Sequence, residues 1–132
     1  MTYLIIALTA IVSYLIGSVN FSILLSKMLS GKDIRESGSG NAGATNMLRT
    51  YGKKMGVITL LLDVLKGIVV ILLSRLVKNI AGTDEIYPVI SYIAGVCVIL
   101  GHNFPLYFGF KGGKGVATSL GVVLMLDWKV GL

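Results

Sequence analysis

The sequence predicts an all-α, polytopic membrane helix bundle, with about four transmembrane helices in a single domain over residues 1–132. Three observations predict it. Hydrophobic residues make up 55% of the 132 and charged residues only 14%, against about 25% charged in soluble domains. Mean hydropathy is +0.85. The apolar residues also gather into runs approaching the ~20 residues that a helix needs to cross hydrocarbon.

The elements follow in order. Thr2 to Ser26 is uncharged and is ended by Lys27. No Lys or Arg precedes this run, and it exceeds the ~7–15 apolar residues of a signal peptide, so it reads as a retained span. Met55 to Ser74 is apolar except for Asp63 and Lys66. Ile86 to Gly101 forms a third run, with Pro88 near its start, where proline is tolerated. Val116 to Leu126 begins a fourth, about 16 Å long at 1.5 Å per residue. It meets Asp127-Trp128-Lys129, a candidate interfacial anchor. The chain stops at Leu132 without a polar tail, and is expected to be a fragment ending in or near its fourth helix. Ser13, Gly17, Ser18 and Ser22 mark a small-residue face for helix packing on the first span. The single cysteine, Cys97, lies in an apolar run and reads as a small hydrophobe.

The formal charge of +6 is placed beside apolar spans. That suits anionic headgroups or an anionic substrate rather than nucleic acid. Lys27, Lys32, Arg35, Arg49, Lys53 and Lys54 flank or fill the first interhelical segment, and Lys111 and Lys114 lie in another. Two spans separate these segments, so they are expected on one side. Arg75 and Lys78 read as residues of the intervening loop, beside Asp84 and Glu85. The positive-inside rule then places both basic segments in the cytoplasm and the N-terminus outside.

Both basic segments are glycine-rich. In the first, Gly38-Ser39-Gly40-Asn41-Ala42-Gly43-Ala44-Thr45-Asn46 leads to Arg49. Gly38, Gly40 and Gly43 permit positive φ, Ser39 and Asn41 supply hydrogen bonds, and Asn41 or Thr45 is placed to cap a short helix. Asn46 and Arg49 would share a helical face. A nest of N–H groups ending in an Arg fork suits a phosphate dianion, whereas a flexible loop with a basic, lipid-facing tail is the bland alternative.

In the second, Lys111-Gly112-Gly113-Lys114-Gly115 runs directly into the apolar segment from Val116. A helix N-terminus with two lysines is a ready anion site. It is not a nucleotide-binding P-loop: Gly109 is one residue too close, and Gly115 follows Lys114 where Ser or Thr is needed. Phe104, Pro105, Tyr107, Phe108 and Phe110 form an interfacial belt, or the entry of an acyl chain. His102, the one histidine, reads as a general base, a phosphate ligand or a structural residue. Asp63 and Lys66, at i and i+3, are expected to pair structurally in the bundle interior. No His/Cys cluster suggests a metal.

On these motifs the sequence resembles the bacterial acyl-phosphate:glycerol-3-phosphate acyltransferases. Asp33-Ile-Arg35, the run from Gly38 to Asn46, Leu48-Arg49 and Gly52-Lys53 are similar to that family's first motif. Asp63-Val-Leu-Lys66-Gly67 is similar to its second-helix pattern. Gly101-His102, Phe104-Pro105 and Phe108 to Thr118 are similar to its second motif. The resemblance implies an inner-membrane enzyme that moves a fatty acyl group from acyl phosphate to the first hydroxyl of glycerol 3-phosphate. The products are lysophosphatidic acid and phosphate, in phospholipid synthesis. It implies no metal or other cofactor, no acyl-CoA donor, and a functional link to an acyl-phosphate-forming enzyme.

It also implies that Ser39 and Arg49 are a functional pair, and that Lys111 to Gly115 bind glycerol 3-phosphate. Gly38, Gly40, Asn41, Thr45, Asn46 and His102 complete the expected substrate-binding set. Family members have about seven helices and a third motif towards the C-terminus, so the domain is expected to be incomplete at that end. The rival expectation is a small membrane anion transporter, with the glycine loops as a phosphate filter and Asp63/Lys66 as gating charges. Such a protein would show a midplane site and often inverted repeats; no repeat is visible by identity.

Overall fold

A computed structural model describes residues 1–82 and 84–131, and the side chains of all of these but Val130. The elements are helices α1 (Thr2–Ser18), α2 (Phe21–Ser30), α3 (Ala44–Tyr51), α4 (Lys53–Ala81), α5 (Tyr87–Asn103), α6 (Val116–Leu126) and α7 (Trp128–Gly131). Short 3-10 turns at Ile34–Glu36 and Leu106–Phe108 lie within the two glycine-rich segments. Among the described residues, three helical stretches are long and apolar enough to cross a membrane: Thr2–Ser30, Lys53–Ala81 and Tyr87–Phe108. The fourth, α6, is a shorter apolar helix.

The first span is not the continuous helix that its uncharged run suggests. It breaks at Val19 and Asn20, which are extended, and then continues to Ser30. The cause is the Asn20 side chain. Its Oδ1 accepts from the Ile23 N–H at 3.1 Å and from Ser22 Oγ at 2.6 Å, so it caps α2 and competes with the helix that would otherwise pass through. Ser22 therefore serves this cap as well as the packing face expected for it.

The second span also differs from expectation, because α4 runs on to Ala81. Arg75 and Lys78, read as loop residues, lie on its last turns. Arg75 stays satisfied by donating to the Tyr87 hydroxyl at 3.1 Å and the Met125 carbonyl at 2.6 Å. Lys78 pairs with Asp84 at 3.1 Å. Neither Asn41 nor Thr45 caps α3; Gly43 occupies the N-cap without a side-chain bond.

Helix packing rests on glycines at two crossings. A Cβ on Gly17 of α1 would collide with the Val98 backbone of α5, and one on Gly101 of α5 with the Tyr14 carbonyl of α1. Gly67 of α4 and Gly121 of α6 stand in the same relation to Thr118 and Val64. Backbones thus approach closely along α1–α5 and along α4–α6, as small residues allow in lipid. Between these pairs lies a core of Val70, Ile71, Ala94, Val98 and Val122. A second core, Ile23, Ile34, Ala42 and Met47, lies under the first glycine-rich segment. Gly101→Ala is expected to destabilise the bundle by about 1–3 kcal/mol through overpacking against fixed backbone. Thermal unfolding in detergent checks this.

Candidate functional site

Both glycine-rich segments lie at one end of the bundle, fastened to each other and to the helix break. Asn20 Nδ2 donates to the Ala42 carbonyl at 3.2 Å, which holds the first segment over the break. Ser18 Oγ accepts from the Leu106 N–H at 3.2 Å, and the Tyr14 hydroxyl donates to the Phe104 carbonyl at 2.7 Å, which hold the second. Arg35 joins the two. Its guanidinium donates to the carbonyls of Phe108 and Lys111 while its other edge grips Asp33 at 2.7 Å. The expectation that the two segments share a side is met by these contacts.

Inside the first segment, Asn46 does the organising. It is fully buried; its Nδ2 donates to the carbonyls of Ile34, Ser37 and Asn41, and its Oδ1 accepts from the Ser39 N–H at 3.2 Å. Gly40 N–H donates to the Ser37 carbonyl and Asn41 N–H to Ser39 Oγ. Three N–H groups of the expected nest, those of Ser39, Gly40 and Asn41, are therefore taken up by the loop's own fold. Asn46 does not share an outward face with Arg49, because burial turns it inward while Arg49 is exposed. The second segment behaves alike. Gly112 and Gly113 donate to the carbonyls of Asn103 and His102, doubling back on the end of α5. A Cβ on Gly113 would strike both the His102 ring and the Ala42 carbonyl, so this glycine is required by close approach.

What remains open is a cavity of about 210 Å3 between the segments. The first turn of α3 reaches it through Gly43, Ala44 and Thr45, and that of α6 through Gly115, Val116 and Ala117. Two helix N-termini thus converge on one volume, each with unpaired first-turn N–H groups and a positive dipole end. Asn41 and Lys114 also line it. The arrangement is chemically an anion site, with its donors at the two helix starts where the glycine-rich runs end.

Its floor is a cluster that sequence spacing did not reveal. Asp63, Lys66 and His102 are 2%, 4% and 3% exposed. Lys66 Nζ lies 2.8 Å from His102 Nδ1, 3.2 Å from the Gly17 carbonyl and 3.0 Å from the Val19 carbonyl. Asp63 Oδ1 is 3.4 Å from Lys66 Nζ, an ion pair without an aligned hydrogen bond. The pair expected in the bundle interior is there, and His102 joins it from 36 residues away.

Of the other expected site residues, Ser39, Arg49, Lys111 and Lys114 are exposed. Ser39 and Arg49 do not line the cavity, and Lys111 meets Arg35 only through its carbonyl. Gly38 and Gly40 take positive φ as expected and shape the loop rather than the cavity wall. Sequence reasoning missed Asn20 and Arg35 as organisers. A polar residue inside an apolar run was the available signal for the first; the Asp33-Ile-Arg35 motif marks the second but not its reach to the other segment.

Residues 7–132 match the family described as glycerol-3-phosphate acyltransferase. The chain belongs to that family. It is 48% identical over 126 residues to a glycerol-3-phosphate acyltransferase of Clostridioides difficile, and 52% identical over 118 residues to one of Shouchella clausii. Those alignments take in 96% and 89% of this chain but 59% and 55% of the relatives, so the chain spans little more than half their length. A crystal structure of PlsY (YgiH), an integral membrane glycerol 3-phosphate acyltransferase in its glycerol 3-phosphate form, superimposes with a TM-score of 0.80 at 42% identity. It covers 96% of this chain and 60% of that one. A second, in the lysophosphatidic acid form, gives 0.76 at 39% identity, covering 96% of this chain and 59% of that one. With its apolar helices, this makes the chain part of a multi-pass membrane protein.

The Asp33–Arg35 clasp lies outside the spans and has a pH signature. The hydrogen-bonded guanidinium of Arg35 holds the Asp33 carboxyl below the ordinary carboxylate range, against the opposing pull of partial burial. A depressed folded value means stabilisation that is complete above about pH 4 and is lost as pH falls through that value. Asp33→Asn is expected to flatten the acid limb of the unfolding curve below about pH 4. Thermal unfolding across an acid series checks this, and an unchanged acid limb would contradict it.

Proposed function

We infer that this chain forms the glycerol-phosphate-binding part of an enzyme that transfers a fatty acyl group from acyl phosphate to the first hydroxyl of glycerol 3-phosphate. The observation that carries the reading is the convergence of the α3 and α6 N-termini with Lys114 on one cavity at the end of a membrane bundle, in a chain whose structural relative was crystallised in a glycerol 3-phosphate form. Both substrates are anions, and they must approach one another. In a partly dry site that repulsion is large unless fixed positive ends and cations intervene.

In this reading Lys114 and the first-turn N–H groups of α6 take the phosphate of glycerol 3-phosphate, with Gly112, Gly113 and Gly115 giving the close approach. Lys111, Arg49 and Ser39 meet acyl phosphate at the exposed rim, beside Asn41 and Thr45. Gly38, Gly40 and Asn46 fix the loop that carries Ser39. The substrate hydroxyl attacks the acyl carbonyl carbon; the new ester C–O bond forms as the bond from that carbon to the bridging phosphate oxygen breaks. The hydroxyl proton leaves to a phosphate oxygen, and lysophosphatidic acid and phosphate result. The acyl phosphate is already activated, so positioning and charge stabilisation supply the catalysis. Ser39 holds a phosphate or the carbonyl oxygen and is not acylated, since no described base or carboxylate bonds to its hydroxyl.

The site is assigned to the cytoplasmic face of a bacterial inner membrane, with the N-terminus outside. Six basic residues in and beside the first glycine-rich segment and two in the second support this orientation. An acyl-phosphate-forming enzyme would supply the donor.

The test is an assay of detergent-purified full-length protein with acyl phosphate and labelled glycerol 3-phosphate, with acyl-CoA as control. Lysophosphatidate is expected from acyl phosphate alone; phosphate flux in vesicles without that product would overturn the reading in favour of transport. Arg49→Lys is expected to lower kcat/KM at least about tenfold, because an ammonium cannot reproduce a bidentate guanidinium contact. Near-normal turnover would remove Arg49 from the phosphate site, and trapping of an acyl-Ser39 species would overturn the direct attack.

A further inference from the structure

The proposal concerns the floor of the cavity and rests on the phosphate reading of that cavity. Lys66 Nζ faces three acceptors within 3.2 Å: the Gly17 carbonyl, the Val19 carbonyl and His102 Nδ1. An ammonium has three protons and no lone pair. Asp63, 3.4 Å away, supplies the negative charge that keeps an ammonium tolerable in a buried setting. The two carbonyls can only accept. An ammonium cannot accept, so at 2.8 Å Nδ1 must accept from it, while Asp63 Oδ1, 3.7 Å from Nδ1, lies beyond hydrogen-bond reach. A neutral imidazole that accepts at Nδ1 carries its proton on Nε2. That nitrogen has no hydrogen-bond partner among the described residues; it lies beside Gly113, and His102 lines the cavity.

We propose that Lys66, seated on the carbonyls of the α1–α2 break and paired with Asp63, fixes His102 as the Nε2–H tautomer, so that His102 donates a hydrogen bond to the phosphate held in the cavity. In this assignment His102 is a phosphate donor and not the base that takes the proton of the substrate hydroxyl, because the ring atom facing the substrate already holds a proton. Lys66 is a positioning residue acting through it. The assignment removes one of the two chemical roles that a lone histidine offered and gives the intramembrane Lys66 a function besides pairing with Asp63.

Two substitutions separate a directed donor from general packing. In His102→Gln the amide NH2 sits near the position of Nε2; in His102→Asn it sits near that of Nδ1. The full-length protein in detergent is used, and binding of labelled glycerol 3-phosphate is measured beside turnover. His102→Gln is expected to keep affinity within about threefold of the parent, whereas His102→Asn is expected to lose at least about tenfold in affinity. Equal losses in both variants, with both still folded by thermal unfolding, would overturn the donor role.

The tautomer is read directly from 15N-histidine spectra of the same protein, with the His102 signals assigned by their absence in His102→Gln. A protonated Nε2 with a bare Nδ1 is expected, and Lys66→Met should mix in the other tautomer while Lys66→Gln, which keeps a donor, should not. A ring protonated on Nδ1 in the parent would overturn the proposal. The acyltransferase reading fails separately, if the parent protein makes no lysophosphatidate while its spectrum still shows the Nε2–H form.

Discussion

The break in the first transmembrane span is the feature on which the site depends, and one ammonium group makes it possible. A backbone carbonyl without a partner in hydrocarbon costs several kcal/mol, which is why spans are normally unbroken. Ending α1 at Ser18 leaves the carbonyls of Gly17 and Val19 facing inward. Lys66 reaches both from α4. The Lys66 charge is itself costly in that position, and Asp63 one turn earlier offsets it. The three features stabilise one another: the break requires a donor, the donor is a charge, and the charge requires a carboxylate. Removing Lys66 would leave two carbonyls and one carboxylate unpaired together, whereas removing most lipid-facing residues of α4 would expose no polar group.

The break then sets the height and direction of both glycine-rich segments. Asn20, released from the helix, caps α2 with its oxygen and holds Ala42 with its nitrogen. Ser18 and Tyr14, on the last turns of α1, hold Leu106 and Phe104. Each bond is modest, about 1 kcal/mol net. Their common origin within seven residues of one another makes the two segments move as one body. Arg35 closes the remaining side by binding two carbonyls of the second segment from the first. The glycine crossings do complementary work below: close backbone contact between α1 and α5 and between α4 and α6 leaves little freedom for the helix ends to drift.

How much of this was legible follows from which interactions are local. The start and end of α6 could be read directly, since Gly115 and Asp127 bracket an unbroken apolar run. The Asp63–Lys66 pair was legible because i and i+3 share a helix face. His102 was not, since no spacing rule links residues 36 apart on different helices. Asn20 carried a signal in Ser18-Val-Asn-Phe-Ser22, a polar cluster inside an apolar span that also reads as a helix cap. Hydropathy averaged over a span hides such a cluster. The glycine runs frame the cavity, but several of their N–H groups bond within the chain. Glycine permits an N–H to turn towards an anion, but the same freedom let Gly40, Gly112 and Gly113 turn towards carbonyls of their own chain.

That substitution of donors has a physical advantage. A nest of loop amides must be ordered by the ligand itself, so part of the binding energy is spent in arranging it. Here the amides of Ser39, Gly40, Asn41, Gly112 and Gly113 are already bonded, which orders the loops before any anion arrives. The donors left over belong to the first turns of α3 and α6, which are fixed by helical geometry and aimed by the glycine turns that precede them. Such ends carry partial positive charge without a mobile side chain. For the proposed reaction, which would bring two phosphates together, preorganised positive ends are worth more than flexible lysines, because nothing has to reorganise when charge shifts in the transition state. The buried cluster beneath serves the same purpose. By holding the His102 ring in place through Nδ1, Lys66 extends rigidity from the membrane interior into the cavity floor. The charged residues inside the bundle and the glycine loops at its surface are thus one construction, joined at the break in the first helix.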